Sequence, residues 1–130
     1  MKTNRFILIG LALTALAVVL AACGGGATTP AASEGPAGDA VKGKVAFEGT
    51  CYSCHGIDAK GLPGLGKDLT TSEFAKGKTD AELVEFLKVG RSTSDPLNTT
   101  GVDMPPKGGN PALTDEDLSN VVAYLRTLEQ

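Results

Sequence analysis

Residues 51–55 read Cys-Tyr-Ser-Cys-His, and this stretch decides the fold. Two cysteines three positions apart lie one turn apart on a helix, so their thiols share a face. Such a pair can form thioethers with the two vinyl groups at one edge of a porphyrin, while the adjacent imidazole binds the iron. C-x-x-C-H is the attachment motif of c-type haem. The sequence therefore predicts one covalent haem c, attached to Cys51 and Cys54, with His55 as the proximal iron ligand.

Three other interpretations of the cysteine pair meet objections or lack support in this chain. A redox dithiol of the thioredoxin kind requires a preceding strand in a βαβ pattern, and no strand pattern precedes Cys51. A zinc site requires four ligands, whereas His55 is the only histidine and the chain has no second cysteine pair. A disulfide between Cys51 and Cys54 is the third alternative, because the thiols of exported proteins tend to be oxidised.

The first 22 residues have the pattern of an export signal. Lys2 and Arg5 precede an uncharged apolar run, Phe6–Ala22, which ends in small residues directly before Cys23. This pattern resembles a bacterial lipoprotein signal, whose cysteine receives a diacylglyceryl group and becomes the N-terminus of a chain that carries acyl groups such as palmitate. The alternative is an uncleaved anchor, since roughly 17 apolar residues can just span a bilayer. Both predict a domain tethered to a membrane and facing the periplasm or the cell exterior.

The chain divides into three predicted segments. Residues 1–22 are the signal peptide, 23–38 a lipidated N-terminus with a flexible linker, and 39–130 the haem domain. The linker is rich in Gly, Ala, Pro and Thr without apolar periodicity, although an ordered surface arm is the alternative. Without the two basic residues of the leader the net charge is −5, which argues against nucleic acid as a partner.

Helical signals dominate the predicted domain, and no alternating strand pattern is present. A first helix is expected from Asp39, a suitable N-cap, into the Cys51 region, with Val41, Val45 and Phe47 as its apolar positions. The later helical signals are a short turn at Ser72–Ala75, a capping box at Thr79–Glu82 with a stop at Gly90, and a helix from Thr114 carrying Leu118, Val121, Val122, Leu125 and Leu128. The prediction is an all-α domain whose long loops wrap a cofactor.

Met104 is the predicted distal ligand of the haem iron. It is the only methionine after the leader, and it stands in a Pro-rich loop between Asp103 and two prolines. A lone methionine is usually core filler, but this one lies outside every apolar periodic segment. A thioether ligand suits electron transfer, because it favours the reduced iron.

From about Asp39 to Gln130 the chain resembles a class I cytochrome c. That family has an N-terminal helix leading into C-x-x-C-H, a middle helix, a methionine loop and a C-terminal helix, three to four helices around one haem. Its terminal helices cross at a glycine and an aromatic residue, which Gly43 and Phe47 match. Val121 and Tyr124 match the partner positions on the last helix.

One departure from the family pattern concerns the proximal histidine. The family often has Gly-Pro-x-Leu after the haem motif, and the proline carbonyl accepts the histidine ring N–H. Here the run Gly66–Leu69 has Lys67 in place of the proline. The resemblance implies that the Lys67 carbonyl accepts from His55.

A second resemblance lies in residues 88–111. This run is similar to monohaem lipoprotein cytochromes that are subunits of quinol-oxidising complexes such as alternative complex III. Asn98, Thr99 and Thr100 are candidates to bind the methionine sulfur or a haem propionate, and plain turn residues are an equal alternative. Basic residues in or beside the loops, namely Lys60, Lys67, Arg91 and Lys107, either form a ring that steers an acidic partner or are ordinary solvated surface.

The predicted function is electron transport between respiratory or photosynthetic redox partners, with no substrate chemistry at the haem. A permanently bound haem subunit of a quinol-oxidising complex is the alternative, since the haem chemistry is the same. A haem enzyme or gas sensor with an open sixth position is a third possibility, but the chain has no second histidine to act beside the iron.

Overall fold

The computed structural model describes residues 38–130 of the chain. The predicted signal peptide, the lipidation site Cys23 and all but the last residue of the predicted linker lie outside these residues, so the segment boundaries stay predictions. No helix within the described part is long and apolar enough to cross a membrane.

Helices joined by long loops build the domain. They are α1 (Ala40–Ala46), α2 (Tyr52–His55), α3 (Glu73–Lys76), α4 (Asp80–Val89) and α5 (Asp115–Leu128). A π-helical turn, Phe47–Cys51, joins α1 to α2, so these segments form one N-terminal helix. Residues 38–130 contain no β-strand, only the isolated bridges Leu62–Gly66 and Arg91–Met104. The predicted all-α architecture with three to four helices is confirmed.

The predicted capping residues begin the helices. The Asp39 carboxylate accepts from the N–H groups of Val41 and Lys42 in the first turn of α1. Both later capping boxes form, Thr79 with Glu82 and Thr114 with Asp117. Each cap satisfies main-chain donors that have no partner inside the helix. The short predicted turn is α3, which begins one residue later because Ser72 is its N-cap.

The crossing of α1 and α5 is the densest contact in the domain. Gly43 is buried, and a Cβ atom there would lie 1.8 Å from the carbonyl oxygen of Asn120. One turn on, Phe47 is fully buried with its ring centroid 5.5 Å from that of Tyr124, and Val121 completes the cluster. The predicted crossing is confirmed. Asn120, which the sequence did not single out, adds a 2.7 Å hydrogen bond from the Asp39 N–H.

The prediction that Val41 and Val45 belong to the apolar face of α1 was wrong. Their side chains are 77% and 69% exposed. Val41 precedes Gly43 by two residues, and Val45 precedes Phe47 by two residues. Two residues correspond to roughly 200° around the helix axis, so both valines face away from α5. The approach of the two backbones at Gly43, rather than the count of apolar residues, decides which face of α1 is buried.

We expect Gly43→Ala to destabilise the domain by about 3 kcal/mol or more, because the methyl group would have to displace the backbone of α5. Gly49→Ala is the matched control, since nothing lies within 4 Å of a Cβ atom at that glycine. The control should be neutral or slightly stabilising, as Ala is favoured over Gly in helices. Urea unfolding of the haem-loaded protein, followed by circular dichroism, measures both. Equal stability of the two variants would contradict the crossing argument.

Candidate haem site

The N-terminal helix carries the cysteine pair to a cavity. Gly43, Phe47 and Cys51 are spaced four residues apart. In an α-helix of about 3.6 residues per turn such a series drifts around the axis, and the wider π-helical turn over Phe47–Cys51 offsets this drift. Cys51 therefore stays close to the face that contacts α5. Cys51 and Cys54 are both partly buried, and both line an apolar cavity of about 410 Å³.

His55 lines the same cavity and is held by one main-chain bond. Its Nδ1 lies 2.8 Å from the carbonyl oxygen of Lys67, to which it donates. Because that nitrogen carries the proton, Nε2 keeps a lone pair available to a metal ion. The bond that the family resemblance implied is present, although Lys67 replaces the usual proline.

Packing holds the Lys67 carbonyl where a proline would otherwise stiffen the loop. Gly66 lies so close to α2 that a Cβ atom there would be 2.2 Å from the Cys54 carbonyl oxygen. On the other side of Lys67, the Asp68 carboxylate accepts 2.7 Å bonds from both the N–H and the hydroxyl of Thr70. These bonds, chiefly the one from the hydroxyl, lower the pKa of Asp68.

Met104 lines the cavity from a loop that is tied to the end of α4. Its N–H and carbonyl each form a 2.8 Å hydrogen bond with the main chain of Arg91. Gly90, at the end of α4, has φ +75°, and a Cβ atom there would lie 2.2 Å from the Met104 carbonyl oxygen. Glycine is required for both reasons. The methionine loop therefore rests directly on the end of α4.

Asn98 and Thr100 build the methionine loop. The Asn98 side chain accepts from the main chain of Thr100 and Gly101 and donates to the carbonyls of Ser92 and Val102. The Thr100 hydroxyl is directed at Asn98 Oδ1 and the Val102 carbonyl. These bonds favour the turn interpretation for the two residues, because their polar atoms are used inside the loop.

The cavity suits a large apolar cofactor. Its volume lies in the range of small-molecule sites, roughly 300–1,000 Å³. Most of its lining is hydrophobic, including Phe47, Leu69, Phe74, Leu83, Phe86 and Val122. A porphyrin offers an apolar plate for these walls, two vinyl groups for the thiols and an iron for the imidazole and thioether. The residues present fit a haem.

The rival interpretations of the cysteines gain no support. Burial raises the pKa of the Cys51 thiol to about 11, and the Cys54 thiol adds to the shift. Redox dithiols and metal-binding cysteines work as thiolates at lowered pKa, so Cys51 has the opposite character. Within residues 38–130, no group of three or more His, Cys, Asp or Glu side chains could hold a metal ion.

A continuous surface ring of positive charge is absent from the loops that the structure describes. Lys60 and Lys67 are exposed, but the Lys107 amine donates to the Leu113 carbonyl at 2.6 Å, and the Arg91 side chain is only 13% exposed. Neither of these two side chains is a freely exposed charge, so the steering-ring hypothesis stays a prediction for Lys60 and Lys67. The sequence could not show this, since the side chains of Lys107 and Arg91 turn back onto the domain.

The fold and the cavity together define a small helical haem-binding domain. The Cytochrome c family model matches residues 40–129, and the chain belongs to that family. It is a class I c-type cytochrome: it binds covalent haem c and serves electron transport rather than enzyme catalysis. No solved structure matches the chain closely enough to support a comparison.

Named relatives agree with this assignment. The chain is 36% identical to cytochrome c-555 of Chlorobaculum thiosulfatiphilum over 88 residues, which are 67% of this chain and 93% of that protein. It is 33% identical to cytochrome c-554(547) of Halothiobacillus neapolitanus over 72% of this chain and the full length of the relative. It is also 33% identical to the cbb3-type cytochrome c oxidase subunit CcoP of Rhodobacter capsulatus, over 68% of this chain but 29% of that protein.

The Asp68 carboxylate should make stability depend on pH in the acid range. Its folded pKa is lowered, so its contribution is present above its ordinary value near 3.9 and is lost as the pH falls through the folded value. Asp68→Asn should therefore lower the urea midpoint of the haem-loaded protein at pH 7 and have less effect at about pH 3. Asp58→Asn is the control, since that carboxylate accepts one longer bond, 3.2 Å from the Lys60 N–H. A loss in Asp68→Asn that is the same at both pH values would contradict the argument.

Proposed function

We propose that this protein is a membrane-tethered monohaem cytochrome that carries electrons outside the cytoplasm. In this proposal Cys51 and Cys54 hold the haem as thioethers, and His55 and Met104 bind the iron from opposite sides. One observation carries it: both ligand residues line a single cavity, and each is fixed by main-chain hydrogen bonds, to Lys67 on one side and to Arg91 on the other.

The proposed ligand pair suits a carrier. The bound haem supplies reversible one-electron chemistry, and a thioether ligand raises the reduction potential relative to harder ligands. A methionine in the sixth position also keeps oxygen and peroxide from the iron. His55 is the only histidine of the chain, so no other imidazole is available for acid–base work beside the haem. These points favour the carrier over a haem enzyme or gas sensor.

The proposed tether is a lipid on Cys23 followed by the linker to residue 38. Support comes from the order of basic residues, apolar run and small residues before Cys23. More than one acyl chain is needed for stable anchoring, which a diacylglyceryl group provides. A tethered domain meets membrane-bound redox partners at high effective concentration without new contacts.

A second candidate is a haem subunit held permanently in a quinol-oxidising membrane complex. The resemblance of the run 88–111 to such subunits favours it. Relatives named as subunits of a cbb3-type cytochrome c oxidase support a haem domain held in a membrane complex, without the quinol chemistry. Co-purification separates the two. After cleavage of the lipid tether a carrier leaves the membrane as a free domain, whereas a subunit stays with its complex.

Met104→Ala tests the ligation. The ferric wild-type protein should show a sulfur-to-iron charge-transfer band that the variant lacks, and the variant should bind carbon monoxide in the ferrous form. The midpoint potential should fall by at least about 59 mV, a tenfold change in the reduction equilibrium. Val102→Ala, which removes another cavity-lining side chain of the same loop, is the control and should keep the band. A wild-type spectrum without the band, or a band that survives in Met104→Ala, would refute the ligand assignment.

Cys23→Ser tests the tether in the full-length chain expressed in a bacterium that processes lipoproteins. Wild-type haem absorbance should sediment with membranes and resist a high-salt wash, whereas the variant should lose lipid attachment. Labelling with a radioactive fatty acid gives a second readout, which only the wild type should incorporate. Haem that stays equally membrane-bound and unlabelled in both proteins would support the uncleaved anchor instead.

A further inference from the structure

Arg91 is a largely buried cation in the wall of the candidate haem cavity. It follows α4 directly, and its main chain is paired in both directions with Met104. Its side chain is only 13% exposed and lines the cavity. The carbon at the centre of its guanidinium lies 4.4 Å from the ring centroid of Phe74 and 4.9 Å from that of Phe86. The aromatic contacts attract the cation but give its N–H groups no acceptor in the plane of the guanidinium.

The Arg91 guanidinium has an ion-pair partner in Asp95 but forms no hydrogen bond with the residues that the structure describes. A guanidinium has five N–H donors and stays charged, so a buried one requires acceptors. Asp95 Oδ2 lies 3.2 Å from Nε, yet Nε is buried without a hydrogen bond. No side chain or carbonyl among residues 38–130 accepts a hydrogen bond from this guanidinium within normal geometry. The N–H groups of the Arg91 guanidinium therefore lie beside an apolar cavity without a protein acceptor.

The other charged groups that line the cavity are already engaged or exposed. Asp68 accepts from Thr70, and Asp103 accepts from the Thr93 N–H. The remaining charged side chains of the lining are Lys67 and Glu73, both exposed, and Lys107, whose amine is bound to a main-chain carbonyl. Arg91 is thus the one cavity-lining cation of the described domain whose charged group is largely buried and forms no hydrogen bond.

We propose that the Arg91 guanidinium binds a haem propionate. A haem carries two propionate carboxylates on the side of the porphyrin away from its vinyl groups, and those vinyl groups are the part that Cys51 and Cys54 take in the proposed attachment. The planar fork of arginine matches a carboxylate with two parallel hydrogen bonds. Arg91 would then join the methionine loop, through its main chain, to the haem edge, through its side chain. This inference rests on the haem attachment proposed above.

The pairing has an electrostatic consequence. A cation on the propionate neutralises a negative charge near the iron, which favours the reduced state. It also keeps that propionate ionised, because an opposite charge in contact favours the charged form. The wild-type midpoint potential should therefore change little between about pH 5 and pH 8, where an unpaired propionate in an apolar site would titrate.

Arg91→Gln tests the proposal, with Lys78→Gln as the matched control. Lys78 also places its cation over the Phe74 ring, at 5.2 Å, but does not line the cavity. In Arg91→Gln the reduction equilibrium constant should fall about tenfold, or about 59 mV for one electron. The midpoint should also become pH-dependent, falling as the propionate ionises. Lys78→Gln should show neither change.

Three outcomes decide between the possibilities. If Arg91→Gln loses thermal stability but keeps the midpoint and flat pH profile of Lys78→Gln, Arg91 only clamps the two aromatic rings and the proposal is wrong. If Arg91→Gln fails to take up haem, Arg91→Lys replaces it. A single amine cannot form the two parallel bonds of the guanidinium, so propionate pairing predicts a smaller fall of the midpoint than a full loss of the charge, and the clamp predicts none. The spectrum of the wild-type protein tests the haem ligation separately. If the sulfur-to-iron band is absent there, the Met104 ligation is wrong whatever the result for Arg91.

Discussion

The contact between Gly43 and the Asn120 carbonyl is the constraint on which the rest of the domain depends. At this point two helix backbones meet with no side chain between them. The next turn of the N-terminal helix places Phe47 against Tyr124, and the turn after that ends at Cys51. The cysteine pair is therefore positioned from α5, at the far end of the sequence. A domain with few aromatic residues obtains a defined haem edge from one close approach of backbones.

The second wall of the cavity depends on main-chain bonds. The Met104 loop has little regular structure, yet its paired bonds with Arg91 and its contact with Gly90 seat it on the end of α4. Elsewhere in the cavity lining a main-chain carbonyl orients His55. A main-chain carbonyl is present whatever the side chain, which explains how Lys67 can stand where the family pattern has proline. The geometry is held by packing at Gly66 rather than by a rigid ring.

The sequence predicted those features that are set by short-range signals. The capping boxes at Thr79 and Thr114 and the glycine stop at Gly90 depend on neighbours three or four residues away, and each formed where expected. The haem motif is equally local. The burial of Val41 was predicted wrongly, since the face of α1 is chosen by a partner some eighty residues later. The inward turn of Arg91 onto Phe74 escaped prediction for the same reason, because no local pattern encodes that contact.

Charge in this protein acts by position rather than by sum. Residues 23–130 carry a net charge of −5, and most ion pairs of the described residues, such as Lys88 with Glu85, lie at the surface, where they contribute little. Arg91 differs because it is removed from water and lies against the cavity. Coulomb energies grow several-fold as the effective dielectric falls from that of water towards that of a protein interior. In the proposed pairing, this one largely buried guanidinium therefore outweighs the dispersed surface excess in setting the electrostatic potential at the haem.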